Sequence, residues 1–259
     1  MVFVPGVVPP EASSPARLFV LDGQSLFVSD EPAVPLGAPA PDDLYLGALD
    51  GVPCFARAEP PPPDTRAVPL RQLFGVLPDA DFAVALRALG TLAWDRDHRH
   101  CGRDGTPTVR SQTERTRLCP LCGLSSYPRI SPAVIMLVER DGRALLARNA
   151  RFPVAFHSCL AGFVELGETL EECVAREVRE EVGIAIADIR YFGSQSWPFS
   201  NSLMVGFTAR YASGDIAFGD GEIAEAAWYP PDALPRIPPS GLSISRALID
   251  DFVRRHGTL

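Results

Sequence analysis

The chain has 259 residues, of which 46% are hydrophobic and 22% charged, and its net charge is −8 at pH 7. This length is sufficient for two domains, and the composition is that of an ordinary soluble globular protein. The acidic balance argues against an extended nucleic-acid-binding surface, but it leaves room for recognition of a single nucleotide. No run approaches about 18 apolar residues, and the first residues lack a basic segment. We therefore expect neither a membrane span nor a signal peptide. We expect a cytoplasmic protein.

Residues 1–95 predict a smaller N-terminal α+β domain. Asp-Gly pairs punctuate short apolar stretches, so we expect strands at Ser25–Val28, Leu44–Leu49 and Val52–Ala58. Apolar residues at helical spacing predict an amphipathic helix over Asp79–Asp95. This region carries no catalytic signature of its own.

Residues 96–129 predict a zinc-ribbon-like module. Two short turns, separated by fourteen residues, would each supply two metal ligands. The four ligand positions are Cys101, Asp104, Cys119 and Cys122. Four thiolates in this spacing would strongly indicate structural zinc, but here one position is Asp104. Three interpretations stay open: Asp104 is a ligand, His98 or His100 replaces it, or the module has lost its metal.

Residues 130–259 predict a larger α/β domain. The continuous apolar run Ala133–Val138 is typical of a strand buried on both faces. An Asp-Gly turn follows it and leads into a second apolar stretch, Ala144–Ala147, which we expect to be a strand. We expect further strands at Ile189–Phe192, Leu203–Ala209 and Ala226–Tyr229, and a final helix from about Ser243 to Arg255. A mixed sheet between helices is the expected arrangement.

The segment Gly162–Ile184 predicts a loop that leads into a helix. Thr169 can cap the helix, with Glu172 three residues later completing a capping box. Gly183 suits the residue that ends a helix in a left-handed conformation. Valines recur every four residues between these ends and predict a buried stripe.

Three carboxylates lie beside that stripe. At about 100° per residue, Glu177, Glu180 and Glu181 share one arc of the helix. Like charges four residues apart destabilise a helix, so their grouping suggests a bound divalent cation. Oxygen ligands favour Mg²⁺ or Mn²⁺ over softer metals. The alternative is an acidic helix face that is simply solvated.

The same segment matches every fixed position of the Nudix box: Gly162, five residues, Glu168, seven residues, then Arg176 to Ile184. The chain therefore resembles the Nudix hydrolases, whose fold is a mixed-sheet α/β/α sandwich. The resemblance implies that Glu177, Glu180 and Glu181 are catalytic and that Glu177 and Glu181 ligate the metals. It further implies that the carbonyl of Ala161 is a ligand and that Arg176 pairs with Glu168.

A second motif resembles the NADH pyrophosphatase (NudC-type) branch of that family, whose signature is Ser-Gln-Pro-Trp-Pro-Phe-Pro-x-Ser. This chain has serine in place of two of the prolines, at positions 196 and 200. The resemblance implies a metal carboxylate at Glu222. The substrate contacts that it implies are Glu114, Tyr127, Phe163, Gln195, Ser196, Trp197, Pro198, Phe199, Ser200, Asn201, Ser202 and Ser245. Trp197 and Phe199 can stack on a base, or they can be core residues.

The resemblance implies Mg²⁺- or Mn²⁺-dependent hydrolysis of the dinucleotides NADH and NAD⁺ to nicotinamide mononucleotide and AMP, by a homodimer. Three alternatives remain. The enzyme could be a broader diphosphatase acting on ADP-ribose-like compounds, or it could act on the 5′ end of NAD-capped RNA. From a different class, it could be a nucleotide-sensing module without catalysis, although a sensor has no need to retain the metal carboxylates.

Overall fold

The computed structural model describes residues 1–10, 15–151, 155–218, 221–239, 241 and 243–257. The chain forms two compact units. The first comprises Met1–Ile130 with Pro198–Asn201, and the second comprises Ser131–Trp197 with Ser202–Leu259. The division of the chain at residues 95 and 129 stays a prediction.

The first unit contains a large sheet, one long helix and a small sheet near residue 120. Its strands are β1 (Phe3–Pro5), β2 (Ala16–Asp22), β3 (Ser25–Val28), β4 (Leu36–Gly37), β5 (Leu44–Leu49), β6 (Val52–Ala58), β7 (Arg66–Pro69), β8 (Val109–Arg110), β9 (Arg117–Leu118) and β10 (Ser125–Ser126). The helix is α1 (Asp79–Asp97), and a 3-10 turn covers Leu70–Leu73. The strands expected at β3, β5 and β6 are confirmed with the same bounds.

The large sheet has the order β1-β5-β6-β2-β3-β7, with β4 paired to β2. The pair β2–β6 is parallel, whereas the other described pairs of this sheet are antiparallel. β2 lies outside the predicted strands, although most of its residues are apolar and buried. The expected helix α1 is confirmed, and it packs against β5 and β6. The small sheet has the order β10-β9-β8.

A buried carboxylate ties α1 to the small sheet. Asp95 is only 2% exposed. It accepts hydrogen bonds from the Nε and Nη2 atoms of Arg110 at 2.8 and 2.9 Å. It also accepts two from Arg117 at 2.9 and 3.1 Å. Burial alone would raise the pKa of Asp95, but these hydrogen bonds outweigh it and hold the pKa below its ordinary value.

The second unit is the expected sandwich. Its strands are β11 (Ser131–Arg140), β12 (Arg143–Asn149), β13 (Leu160–Phe163), β14 (Ala185–Trp197), β15 (Ser202–Ser213) and β16 (Ile223–Tyr229). Its helices are α2 (Leu170–Val182) and α3 (Ile244–His256). The sheet order is β14-β15-β11-β12-β16, with β13 paired to β11. The pair β11–β15 is parallel and the other described pairs are antiparallel, so the sheet is mixed.

The central strand β11 is buried on both faces, as its apolar run predicts. Val134, Met136 and Val138 pack in one cluster with the valines of α2. Ile135 and Leu137 pack in a second cluster with the apolar residues of α3. Successive side chains of a strand point to opposite faces, so one strand supplies both cores. The α/β/α arrangement is thereby confirmed.

The expected strand near Ile189 belongs to a longer element, because β14 continues to Trp197 through several register shifts against β15. No helix among the described residues has the length and apolar character needed to cross a membrane.

Candidate active site

The Nudix-type loop and helix have the capping interactions that the sequence predicts. The amide of Glu172 donates to the hydroxyl of Thr169 at 3.2 Å, and the amide of Thr169 donates to the carboxylate of Glu172 at 2.8 Å. At the other end of α2, Gly183 has φ 75° and its N–H bonds to the carbonyl of Arg179. These local interactions fix both ends of the helix that carries the candidate catalytic carboxylates.

Arg176 forms hydrogen bonds with three glutamates of this segment. Its guanidinium donates to Glu168 at 2.9 Å, to Glu177 at 2.8 Å and to Glu180 at 2.9 Å. It also donates to the backbone carbonyl of Phe163, at the end of β13, at 3.0 Å. One cation therefore joins the loop, the helix and β13. The hydrogen bonds from Arg176 and from the Glu165 amide lower the pKa of Glu168 to about 2.

Glu177 occupies space that only a glycine at position 162 provides. A Cβ atom on Gly162 would come closer than 3.0 Å to the carboxyl carbon and both carboxyl oxygens of Glu177. Burial raises the pKa of Glu177 and outweighs the opposing hydrogen bond from Arg176. This is a carboxylate held in a tight backbone cradle, and the cost of burying it would be relieved by a cation.

The other two helix carboxylates differ in exposure. Glu181 is 5% exposed, whereas Glu180 is on the surface. Ala161 lies on β13 opposite Ile135 of β11, and β13 packs against α2. The predicted ligands Ala161, Glu177 and Glu181 thus belong to two neighbouring elements of one unit. Glu222 precedes β16, where its carboxylate pairs with Arg151 and its carbonyl accepts from the Ala150 amide.

The predicted substrate segment is divided between the two units. Gln195, Ser196 and Trp197 end β14, and Ser202 begins β15 opposite Trp197. The side-chain oxygen of Gln195 accepts a hydrogen bond from the amide of Ile244 at 2.8 Å, at the first turn of α3. Trp197 is half-buried, and Ser202 is buried. Gln195 therefore has a structural partner inside the second unit.

Residues 198–201 belong to the first unit. The guanidinium of Arg71 lies 4.4 Å from the ring centre of Phe199, and Gln24 donates to the carbonyl of Phe199 at 3.2 Å. A cavity of ≈ 830 Å³ in this unit is lined in part by Pro198, Phe199, Ser200 and Asn201. Its volume is within the usual range for small-molecule sites.

Four other predicted substrate contacts lie outside that segment. In the first unit, the hydroxyl of Tyr127 donates to the carboxylate of Glu114 at 2.7 Å, and this bond raises the pKa of Tyr127. Tyr127 is 53% exposed, and in the second unit Phe163 is 54% exposed. Both aromatic rings are therefore accessible for stacking on a base. Ser245 is buried, and its hydroxyl accepts from the amide of Cys159 at 3.2 Å.

The four candidate zinc ligands come together in the first unit. The ligand atoms of Cys101, Asp104, Cys119 and Cys122 all lie within 4.8 Å of one another. The sulfur atoms of Cys101 and Cys122 are 3.6 Å apart, and that of Cys119 is 3.5 Å from Asp104 Oδ2. A tetrahedral zinc ion, with bonds of about 2.3 Å to sulfur and 2.0–2.2 Å to oxygen, separates its ligands by roughly 3.5–3.8 Å. The donor set therefore fits the metal.

Asp104 occupies the same place in its turn as Cys122 does in the second turn. In the first turn, the amide of Cys101 donates to Thr106 and that of Gly105 donates to Cys101. The second turn repeats both bonds at Cys119, Leu124 and Gly123. The ligand cluster found in the described part of the chain contains no histidine. The ring of His98 is instead 2.8 Å from the carbonyl of Trp94.

Some contacts in the structure have no local sequence signal. The bond between Cys159 and Ser245 joins residues 86 positions apart, and Asp95 binds Arg117 across 22 positions. The partnership of Arg151 with Glu222 is equally long-range. Only the sheet and helix arrangement brings these groups together.

Comparisons with known proteins agree with this architecture. A family model described as the NUDIX domain matches residues 128–252. The NADH pyrophosphatase zinc ribbon domain matches residues 96–127, and the NADH pyrophosphatase-like rudimentary NUDIX domain matches residues 15–94.

Among curated relatives, the NAD-capped RNA hydrolase NudC of Deinococcus radiodurans is 42% identical over 248 residues, which is 93% of this chain and 88% of that protein. The protein of the same name from Chromobacterium violaceum is 42% identical over 246 residues, covering 93% and 92% respectively. A NUDIX hydrolase structure from Nitrosomonas europaea aligns with a TM-score of 0.53 at 23% identity, over 61% of this chain and 93% of that one. This last similarity concerns the fold alone.

Proposed function

Because the chain belongs to the Nudix hydrolase family, in its NADH pyrophosphatase branch, we propose that it hydrolyses the pyrophosphate of NAD(H) to nicotinamide mononucleotide and AMP. The observation that carries this proposal is the complete box, in which Arg176 contacts Glu168, Glu177 and Glu180 at once. A binding module without catalysis would not need this arrangement.

We propose Glu177, Glu181, Glu222 and the carbonyl of Ala161 as ligands for the catalytic metal. The all-oxygen donor set favours Mg²⁺ or Mn²⁺. The half-buried carboxylate of Glu177 against Gly162 supports a cation at this point. When bound, such an ion neutralises phosphate oxygens and makes a bound water more acidic.

The protein groups position the substrate and move protons. The exposed carboxylate of Glu180 can accept a proton from the attacking water. Arg176 and Glu168 hold the loop against α2, so the carboxylates keep their spacing when the anionic substrate enters.

The dinucleotide is proposed to be held by aromatic surfaces and by the segment from Gln195 to Ser202. The half-buried ring of Trp197 and the exposed rings of Phe163 and Tyr127 offer stacking surfaces for a base. Glu114, Ser196, Pro198, Phe199, Ser200, Asn201 and Ser245 complete the proposed substrate set.

Zinc is proposed as a structural ion of the ribbon, with three thiolates and Asp104 as ligands. The repeated turn geometry and the ligand spacing support this set. Zinc here would stabilise the fold of the module and would take no part in hydrolysis.

A second candidate substrate is the 5′ end of NAD-capped RNA, because relatives of 42% identity are named NAD-capped RNA hydrolases. The net charge of −8 argues against extensive RNA contacts, but not against a cap bound in the active site.

We propose a homodimer that acts in the cytoplasm, and gel filtration with light scattering tests its assembly.

The central experiment incubates the protein with NADH, NAD⁺, ADP-ribose and NAD-capped RNA at equal concentration, with and without Mg²⁺. The expected result is Mg²⁺-dependent release of AMP and nicotinamide mononucleotide from NAD(H), which the matched variant Glu181→Gln does not produce. Binding of NADH without any AMP release would support the sensing module instead. Faster turnover of ADP-ribose than of NADH would favour the broader diphosphatase.

A further inference from the structure

The first turn of α3 contacts both β14 and β15. Its first amide, that of Ile244, donates to the side chain of Gln195 at 2.8 Å. The side chain of Ile244 lies on Gly206 of β15, where a Cβ atom would be only 2.7 Å from Ile244 Cδ1. These contacts fix the place of the next residue, Ser245, which is 6% exposed.

The hydroxyl of Ser245 contacts the backbone where the chain passes from pairing with one strand to pairing with another. Ser158 pairs with Ala147 of β12, whereas Leu160 pairs with Met136 of β11. Cys159 lies between them, and its amide donates to Ser245 Oγ at 3.2 Å. A buried amide at such a point requires a partner from outside both ladders, and Ser245 is that partner.

A second contact reinforces the first. The thiol of Cys159 lies 3.7 Å from the carbonyl of Ser245. The thiol donates to that carbonyl. Ser245 therefore holds Cys159 through both its side chain and its backbone.

We propose that Ser245 is a positioning residue of the metal site: its hydroxyl fixes the start of β13 and thereby the carbonyl of Ala161, two residues after Cys159. This differs from the direct substrate contact that the family resemblance implies for Ser245. Its hydroxyl oxygen accepts from a protein amide, and the residue is only 6% exposed. The inference rests on the ligand role of Ala161 in the proposed function.

Direct Mn²⁺ binding tests the inference without any turnover. Free Mn²⁺ is titrated against protein by electron paramagnetic resonance, for wild type, Ser245→Ala and the matched control Ser243→Ala. Ser243 caps the same helix by accepting from the Arg246 amide, but it does not hold Cys159. Both variants should lower the melting temperature.

Ser245→Ala should weaken Mn²⁺ binding on the order of tenfold, the low end for groups that orient metal ligands. Ser243→Ala should stay within about twofold of wild type, because Ser243 bonds the Arg246 amide of its own helix and not Cys159. Ser245→Thr, which retains the hydroxyl, should restore most of the binding.

Mn²⁺ binding by Ser245→Ala equal to that of wild type would overturn the inference, and a raised KM for NADH in the same variant would restore the substrate-contact role. A wild type that binds no Mn²⁺ would also overturn it. A wild type that binds Mn²⁺ but releases no AMP from NADH would contradict the proposed function alone, and the comparison of the variants would still stand.

Discussion

Gly162 lies directly against the carboxyl group of Glu177, so that no side chain fits at position 162. In the sequence, Gly162 is simply the first fixed position of the box. In the structure, the carboxyl group of Glu177, a proposed metal ligand, packs against it. The backbone of β13 can approach α2 this closely only because the residue has no Cβ atom.

Gly162→Ala should therefore displace Glu177 and lower activity by at least about tenfold at saturating Mg²⁺, the low end for disturbed metal-site geometry. Gly193→Ala is the matched control, because a Cβ atom at Gly193 has no neighbour within 4 Å. Steady-state kinetics with NADH measures both variants. Equal activity of Gly162→Ala and Gly193→Ala would show that Glu177 tolerates displacement.

Glu181→Gln should abolish turnover and leave the fold intact, because the change removes charge from a proposed metal ligand and keeps its volume. A loss of at least about 10²-fold is expected, the low end for groups that stabilise charge in the transition state. The control is Glu171→Gln, an exposed glutamate in the first turn of the same helix. Circular dichroism checks the fold, and activity within tenfold of wild type would remove Glu181 from the ligand set.

The sequence predicts what depends on neighbours along the chain. The capping box of Thr169 and Glu172, the left-handed Gly183 and the continuous apolar run of β11 are local patterns, and the structure contains each of them. The length of β14 is not local, because its ends are set by pairing with β15 through shifts of register.

The candidate site divides in the same way. The carboxylates of α2 can be identified from their spacing alone, and the four zinc positions from two short turns. Only the three-dimensional structure places Asp104, and not His98, with the three cysteines, since both residues are close to Cys101 in sequence. The partners of Asp95 and Ser245 lie across strands and helices, where no periodicity connects them.

Trp197→Ala should raise KM for NADH more than it lowers kcat, if the ring is mainly a stacking surface for a base. Loss of one stacked base is expected to cost about 1–3 kcal/mol in binding, or roughly 5- to 150-fold in affinity. An unchanged KM with a large drop in melting temperature would assign the half-buried ring to the core instead.

Asp95→Asn should destabilise the first unit, because it leaves Arg110 and Arg117 without their shared carboxylate. Breaking a buried ion pair by removing one partner typically costs about 3–5 kcal/mol. The pKa of Asp95 is lowered in the folded state. Its contribution to the stability of the fold is therefore complete above the unfolded-state pKa of about 3.9, and it is lost as the pH falls through the folded-state pKa. Urea unfolding at pH 7 and at pH 3 measures the free energy of unfolding of both proteins, and the difference between variant and wild type should be smaller at pH 3. A difference that grows in acid would contradict the assignment.

Asp104→Cys should complete a four-thiolate zinc site in the ribbon. Thiolate is a softer and more favourable zinc donor than carboxylate, so the variant should bind zinc more tightly than wild type. A tenfold gain corresponds to about 1.4 kcal/mol. Because zinc binds the folded state, the melting temperature measured with zinc should be higher for the variant than for wild type. A chelator should lower the melting temperature of both proteins.

Elemental analysis of the purified protein separates the three interpretations of this module. With Asp104 as a ligand, wild type should contain one zinc per chain, and Asp104→Ala should lose zinc more readily to a chelator. Competition with a coloured chelator measures the order of affinity, which should be Asp104→Cys, wild type, Asp104→Ala. A full equivalent of zinc that Asp104→Ala retains unchanged would point to His98 or His100, and His98→Ala and His100→Ala would then identify the ligand. A wild type with well under one zinc, whose melting chelator leaves unshifted, would show that the ribbon is held by packing and by the Asp95 ion pairs.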